Sequence, residues 1–474
     1  MRTLLTVIAS IPLMFGQNAH DHHAAPNKPV LLDGLGAHTH KIQTKNPEAQ
    51  KFFNQGLVML MGFNRPEALR SFQKAAELDP TAVMPHWGIA MATGPHINMD
   101  IDGDVDLKAG CIALDTARKL QATSELEAAY IRAAATRCPE YDPARYIAAM
   151  KALSSTYPDD LDAATFYAES IMVPVRWRWW SRDGKPAEGM DEAVSVLESV
   201  MRRDAQHPGA NHFYIHAVEM SPSPERAVPS AQRLMGVVPT AGHLVHMPGH
   251  IWMILGRYDL VIDSNERAAE VDEAYMRKTG MTATAYSGYY VHNLHFIAVG
   301  HQMQGRREEA RKSAERLAKA AEPHIESMAM MVDAFVPYRY FAALRFSDWK
   351  SALELPKPDA RLKTTTALWH YMRAVTYGAT REHTKAQQEQ QQFEAARKEV
   401  PSDWPWLNNK ASEILAVAAE VLQARVSFAK PETALEHWRR AVALEDALVY
   451  EEPPAFYYPI RESLGAELFR AKRY

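Results

Sequence analysis

Residues 49–80 read AQKFFNQGLVMLMGFNRPEALRSFQKAAELDP, and their apolar positions recur with a helical period. Counting Ala49 as position 1, Gly56 falls at position 8, Ala68 at 20, Phe72 at 24, Ala75 at 27 and Pro80 at 32. Small residues at 8, 20 and 27 let two antiparallel helices approach closely. A proline at 32 lacks the amide hydrogen that a continuing helix needs, so it ends the second one.

This pattern resembles the tetratricopeptide repeat (TPR), a helix–turn–helix unit of about 34 residues. A ruler set at residue 208 puts Ala227 at 20, Ala231 at 24 and Pro239 at 32. Set at 242, with no gap, it puts Gly249 at 8, Trp252 at 11, Val261 at 20 and Ala268 at 27; set at 291, Ala298 at 8 and Ala310 at 20. Weaker copies place position 20 at Ala193, Ala352, Ala386 and Ala434, the last with Trp438 at 24 and Ala441 at 27. Regions 95–160, 174–190 and 276–290 read as insertions or degenerate helical pairs, and residues 463–474 resemble the first helix of a further repeat. No segment sustains strand alternation. The resemblance implies an all-α fold, a right-handed α-solenoid forming one continuous unit over residues 46–474.

The 474 residues are 47% apolar, enough for a core, with a formal net charge of −4 that argues against a nucleic-acid partner. Met1-Arg2 precedes an apolar run from Leu4 to Phe15, too short to span a bilayer and fitted to a secretory signal over residues 1–19. No later segment is long and apolar enough for a membrane helix, so the expected location is periplasmic or secreted. An exported start and a histidine-rich segment are what an exported bacterial TPR-like protein is expected to show. Residues 20–45 open with His20-Asp21-His22-His23 and read as a flexible lead. Export permits Cys111 and Cys138 to pair, with two buried free thiols as the alternative.

The chain has 20 histidines, nine of them between residues 207 and 301. In the repeat at 208, His212, His216 and Glu219 hold positions 5, 9 and 12. In the repeat at 242, His243, His246 and His250 hold 2, 5 and 9; in the repeat at 291, His292 and His295 hold 2 and 5. Positions 2, 5, 9 and 12 advance by three or four and share one helix face. TPR resemblance implies that this face lines a concave groove, where neighbouring first helices lie side by side. Converging imidazoles suit a transition metal ion such as Zn, Cu or Fe, with Glu219 as a further ligand or a general base. Asn211, Asn293 and Tyr214 are expected to hydrogen-bond the ligands from outside. His207 and His301 fall off the face, one at a helix end and one in packed core. Pro248, at position 7, predicts a kink between His246 and His250.

Other motifs are weaker. His212 and His216 have no glutamate beside the first, so they lack the HExxH arrangement of zinc proteases. Asn98 to Asp104 imitates the start of a calcium loop, but Ala109 stands where the bidentate glutamate belongs. Arg176-Trp177-Arg178-Trp179-Trp180 reads either as a cover at one end of the groove or as loop-base packing. The leading expectation is an exported TPR-like scaffold holding a transition metal in its groove, with the histidine-rich repeats at 207–324. The alternatives are a metal-dependent hydrolase or oxidoreductase at that site, and a metal-free scaffold for a peptide or protein in the groove.

Overall fold

Asn46 and Asn64 start the two helices of the stretch 49–80. The Asn46 side chain accepts from the amides of Glu48 and Ala49 at the head of Pro47–Met61, and Asn64 accepts from Glu67 at the head of Arg65–Leu78. Phe72 is fully buried between them and the helix Met84–Ala92. A Cβ at Gly56 or Gly88 would lie 2.7 or 2.4 Å from the Phe72 ring, so both glycines are needed for this close approach. Ala68 and Ala75 are equally buried.

The computed structural model describes residues 28–98, 105–120, 122–282, 286–427 and 430–473. The signal expected at 1–19, residues 20–27 and most of the acidic run after Asn98 lie outside the described residues. Helix pairs follow one another along the chain, and the only sheet among the described residues is the pair Pro405–Trp406 and Asn409–Lys410. The fold is an all-α solenoid of TPR-like helix–turn–helix units. Ala193, Ala227, Ala310, Ala352, Ala386 and Ala434, all at position 20, are buried in it. No described helix is long and apolar enough to cross a membrane.

Two expectations change and a third is resolved. The chain divides into two compact units, one ending at Asn293 and one starting at Leu294, rather than forming one continuous unit. Region 95–160, expected as an insertion or degenerate helical pairs, carries three regular helices among its described residues, Leu107–Leu120, Glu125–Ala135 and Pro143–Thr156. The described part of the lead, 28–45, is bound to the first unit instead of flexible. Gln55 bonds the backbone at Val30 and Leu32, Ile42 is buried, and Thr44 bonds Asp79. Cys111 and Cys138 are joined in a disulfide that ties the helix Leu107–Leu120 to the turn after Glu125–Ala135.

Candidate metal centre

The histidine-bearing helices are Pro208–Glu219, the pair Gly242–His246 and Pro248–Ile254, and Ser287–Met303. His207 caps the first of these, its Nδ1 accepting the Ala210 amide at 3.1 Å. Pro248 breaks the second where the missing amide required it, yet His246 and His250 still face each other, with Nε2 atoms 2.8 Å apart.

Six of the predicted ligands assemble into two triads. One ring nitrogen each of His212, His216 and His243 lies within 4.8 Å of the others, and the same holds for His246, His250 and His292. Both triads follow one rule: positions 5 and 9 of one repeat plus position 2 of the next. Ring centroids in the first triad are 5.0, 4.9 and 6.5 Å apart, and in the second 4.7, 4.9 and 6.1 Å. Between triads, His216 lies 5.3 Å from His250 and His243 5.5 Å from His246, so the two sets are contiguous.

Outer contacts fix the tautomers. His212 Nδ1 is 2.6 Å from the Met61 carbonyl oxygen, which can only accept. Asn265 donates its amide to the Val261 carbonyl at 2.8 Å, which leaves its Oδ1 to accept from His246 Nδ1 at 2.6 Å. Glu219 Oε1 accepts from His216 Nδ1 at 3.0 Å and Oε2 from His250 Nδ1 at 2.7 Å. Four rings therefore donate at Nδ1, and when neutral they present a bare lone pair at Nε2. This is the outer arrangement that metal-binding histidines show, where the far nitrogen donates to a carboxylate or carbonyl. Burial, reinforced by neighbouring imidazoles, holds His212, His243 and His246 well below the usual imidazole range and His216 below it. Burial alone would raise the Glu219 carboxyl, but the charge and hydrogen bonds of His250 and His216 outweigh it and hold Glu219 ionised.

A second carboxylate sets the position-2 members. Asp272 accepts from Tyr286 at 2.8 Å and from Asn293 at 2.7 Å, while the Tyr286 hydroxyl accepts the backbone amide of His243 at 3.2 Å. A Cβ at Gly242 would sit 1.9 Å from Asp272 Oδ1, so this contact requires the glycine. Asp272 thus anchors the chain at His243 and, through Asn293, beside His292. Its carboxyl is raised to about 7 by burial.

The structure departs from expectation at several residues. Glu219 faces two imidazole Nδ1 atoms with its two oxygens, an orienting contact, and its carboxylate also lies close enough to His216 and His250 to share a metal-holding group with them. His295 joins neither triad. The repeat that supplies it has Val299 at position 9, and His295 packs instead against Tyr338 and Phe335, at 4.1 and 5.5 Å between centroids. Asn211 bonds the Ala205 and His207 carbonyls and Tyr214 bonds Glu198, so neither supports a ligand. Nor is the centre an open groove: His212, His216, His243, His246 and His250 are buried and His292 half-buried. Phe63, in the turn of the first repeat and at φ +56°, covers His212 at 4.4 Å. Tyr289 covers His243 at 4.5 Å. The aromatic-basic insertion is loop-base packing that also lines the centre: Trp180 donates to the Ala217 carbonyl, and the Trp179 ring lies 5.9 Å from His216.

A second histidine cluster was not foreseen. His38 Nε2, His40 Nδ1 and His207 Nε2 all contact the Asp162 carboxylate, at 3.0, 2.7 and 3.1 Å. Hydrogen bonds from these imidazoles overcome the effect of burial and hold Asp162 well below the usual carboxylate range, and Asp162 in turn raises His40.

No family model matches the chain, and no curated protein does. Solved structures resemble it across most of its length at low identity. The human IFIT1 dimer with m7Gppp-AAAA is 14% identical, with 90% of this chain and 92% of that one covered and a TM-score of 0.40. Yeast Tom70 is 9% identical, with 90% of each covered and a TM-score of 0.30. The TPR domain of P58(IPK) is 11% identical, with 90% and 98% covered and a TM-score of 0.18.

Proposed function

We propose that this TPR-like helical-repeat scaffold binds a transition metal ion through the buried imidazoles of its central repeats. The observation that carries the reading is the pair His246 and His250. Their Nε2 atoms are 2.8 Å apart while both Nδ1–H groups are committed, to Asn265 and Glu219. Two lone pairs at that separation repel unless a cation lies between them. A metal ion about 2.0–2.1 Å from each nitrogen fits that spacing at a near-right angle. Neutral imidazole suits Zn, Cu, Fe and Ni, and six imidazoles make up the two triads.

The test is to strip the full chain with a chelator, reload it with Zn(II), Co(II) or Cu(II), remove excess metal and measure content by elemental analysis. The reading expects retained metal whose content falls in His246→Ala and in His250→Ala. No retained metal, with a shared proton between the two rings instead, contradicts it. Export to a periplasmic or extracellular space belongs to the same reading, supported by the apolar run at 4–15 and the Cys111–Cys138 disulfide.

A metal-dependent enzyme is the second reading, favoured by donor count. Three imidazoles per triad match catalytic zinc sites, which keep a position for water or substrate, whereas structural sites are filled by four protein ligands. A peptide-binding role for these histidines is disfavoured, because five of the six triad rings are buried and offer little surface to a peptide.

A further inference from the structure

We infer that the centre holds two metal ions, one in the triad His246, His250 and His292 and a second in the triad His212, His216 and His243. This rests on the metal-binding reading above and adds a distinct site to it. Three observations carry it. First, one repeat rule builds both triads, and the chain stops the series at two: Gly209 holds position 2 of the repeat at 208, and Val299 position 9 of the repeat at 291. Second, the ring spacings of the two triads match side for side. His212 Nε2 and His243 Nε2 are 3.2 Å apart, a separation that two nitrogens about 2.0–2.1 Å from one ion adopt between right-angled and tetrahedral geometry. Third, His216 Nε2 is buried with no hydrogen-bond partner while its Nδ1–H is held by Glu219. An unpaired nitrogen in that setting is costly unless a ligand completes it.

Glu219 couples the sites. One oxygen holds the position-9 ring of the first triad and the other that of the second, so a single carboxylate orients a ligand of each ion. The ring contacts between triads, at 5.3 and 5.5 Å, fall within the range found inside them. Two ions here would be close neighbours, as in the two-metal sites that clamp a reacting group between them.

The experiment uses the full chain with His20→Ala, His22→Ala and His23→Ala, which removes the tail as a competing chelator. Cobalt(II) is titrated into the stripped protein and read by its visible absorption and by elemental analysis, with circular dichroism confirming the fold of each variant. Two ions per chain are expected. One should remain in His212→Ala and in His243→Gln, and one in His246→Ala and in His292→Gln. Reloading with copper(II) should give a paramagnetic resonance signal well below that of two isolated ions, because neighbouring spins couple. A single ion lost equally from variants of either triad would overturn the two-ion inference and leave metal binding standing. No ion in the parent chain would overturn both.

Discussion

Two buried histidine clusters in the first unit are built on opposite plans. Around Asp162, three imidazoles point at one central carboxylate, so a hydrogen-bond acceptor sits where the rings meet. In the paired triads the carboxylate lies outside. Glu219 takes the Nδ1–H groups and turns Nε2 of His216 and of His250 inward, the latter to 2.8 Å from His246 Nε2. The location of the carboxylate, more than the number of histidines, separates a carboxylate-centred clamp from a set of inward-facing ring nitrogens. His207 adds to the contrast: its Nδ1 accepts a backbone amide, so its Nε2 bears the proton given to Asp162 and has no lone pair to offer.

The largest effect expected from breaking this contrast is on stability. Asp162→Ala leaves three imidazoles around an empty centre and should cost about 3 kcal/mol or more, as removal of one member of a buried charged cluster does. Chemical denaturation measures it, and the metal content of the surviving folded protein should be unchanged. A loss of metal in that variant would show the two clusters to be one system. Glu219→Gln should act the other way round. Metal stoichiometry is retained, but affinity falls by about 10–100-fold, as for other lost partners of ligand histidines. Competition against a chromophoric chelator reads this directly, and an unchanged affinity would remove Glu219 from its orienting role. Asn265→Ala removes the acceptor of one ring only and should weaken affinity by on the order of tenfold, through one unmet hydrogen bond of about 1–2 kcal/mol.

How much of this was legible beforehand follows from sequence distance. The fold was readable because small and aromatic residues recur at fixed repeat positions, and Gly56 and Phe72 do meet as those positions require. The triads were readable as a helix face, since positions 2, 5 and 9 are a helical period. Their division into two sets was not, because it depends on how successive repeats stack. Nor was the role of Glu219, since a carboxylate on the ligand face looks the same whether it points at a metal or at a ring nitrogen. Asn265, at position 24 where the preceding repeat has Ala231, was a usable signal: a polar residue where the repeat wants a small one. The Asp162 cluster joins the irregular stretch at His38 and His40 to the first turn of the helix Leu161–Met172, 124 and 122 positions away, and no local pattern announces that.

An effect confined to acid pH concerns His295, the expected ligand that belongs to neither cluster. It is buried against Tyr338 with both ring nitrogens unbonded, and burial lowers it from 6.5 to about 3. The unfolded chain takes up this proton first as pH falls, so stability is lost between about pH 6.5 and 3. His295→Leu should flatten the stability profile in that window and leave it unchanged above pH 7. An unaltered acid limb in thermal melts would show that the ring is protonated in the folded chain.

The central claim is that inward Nε2 lone pairs, oriented from outside, form a metal centre. Anomalous diffraction from crystals of the zinc-reloaded chain, recorded above and below the zinc absorption edge, tests it most directly. The account predicts a peak about 2.0–2.1 Å from the Nε2 atoms of His246 and His250, a second beside His212 and His243, and none at Asp162. A peak at Asp162 with none among the triads would contradict it.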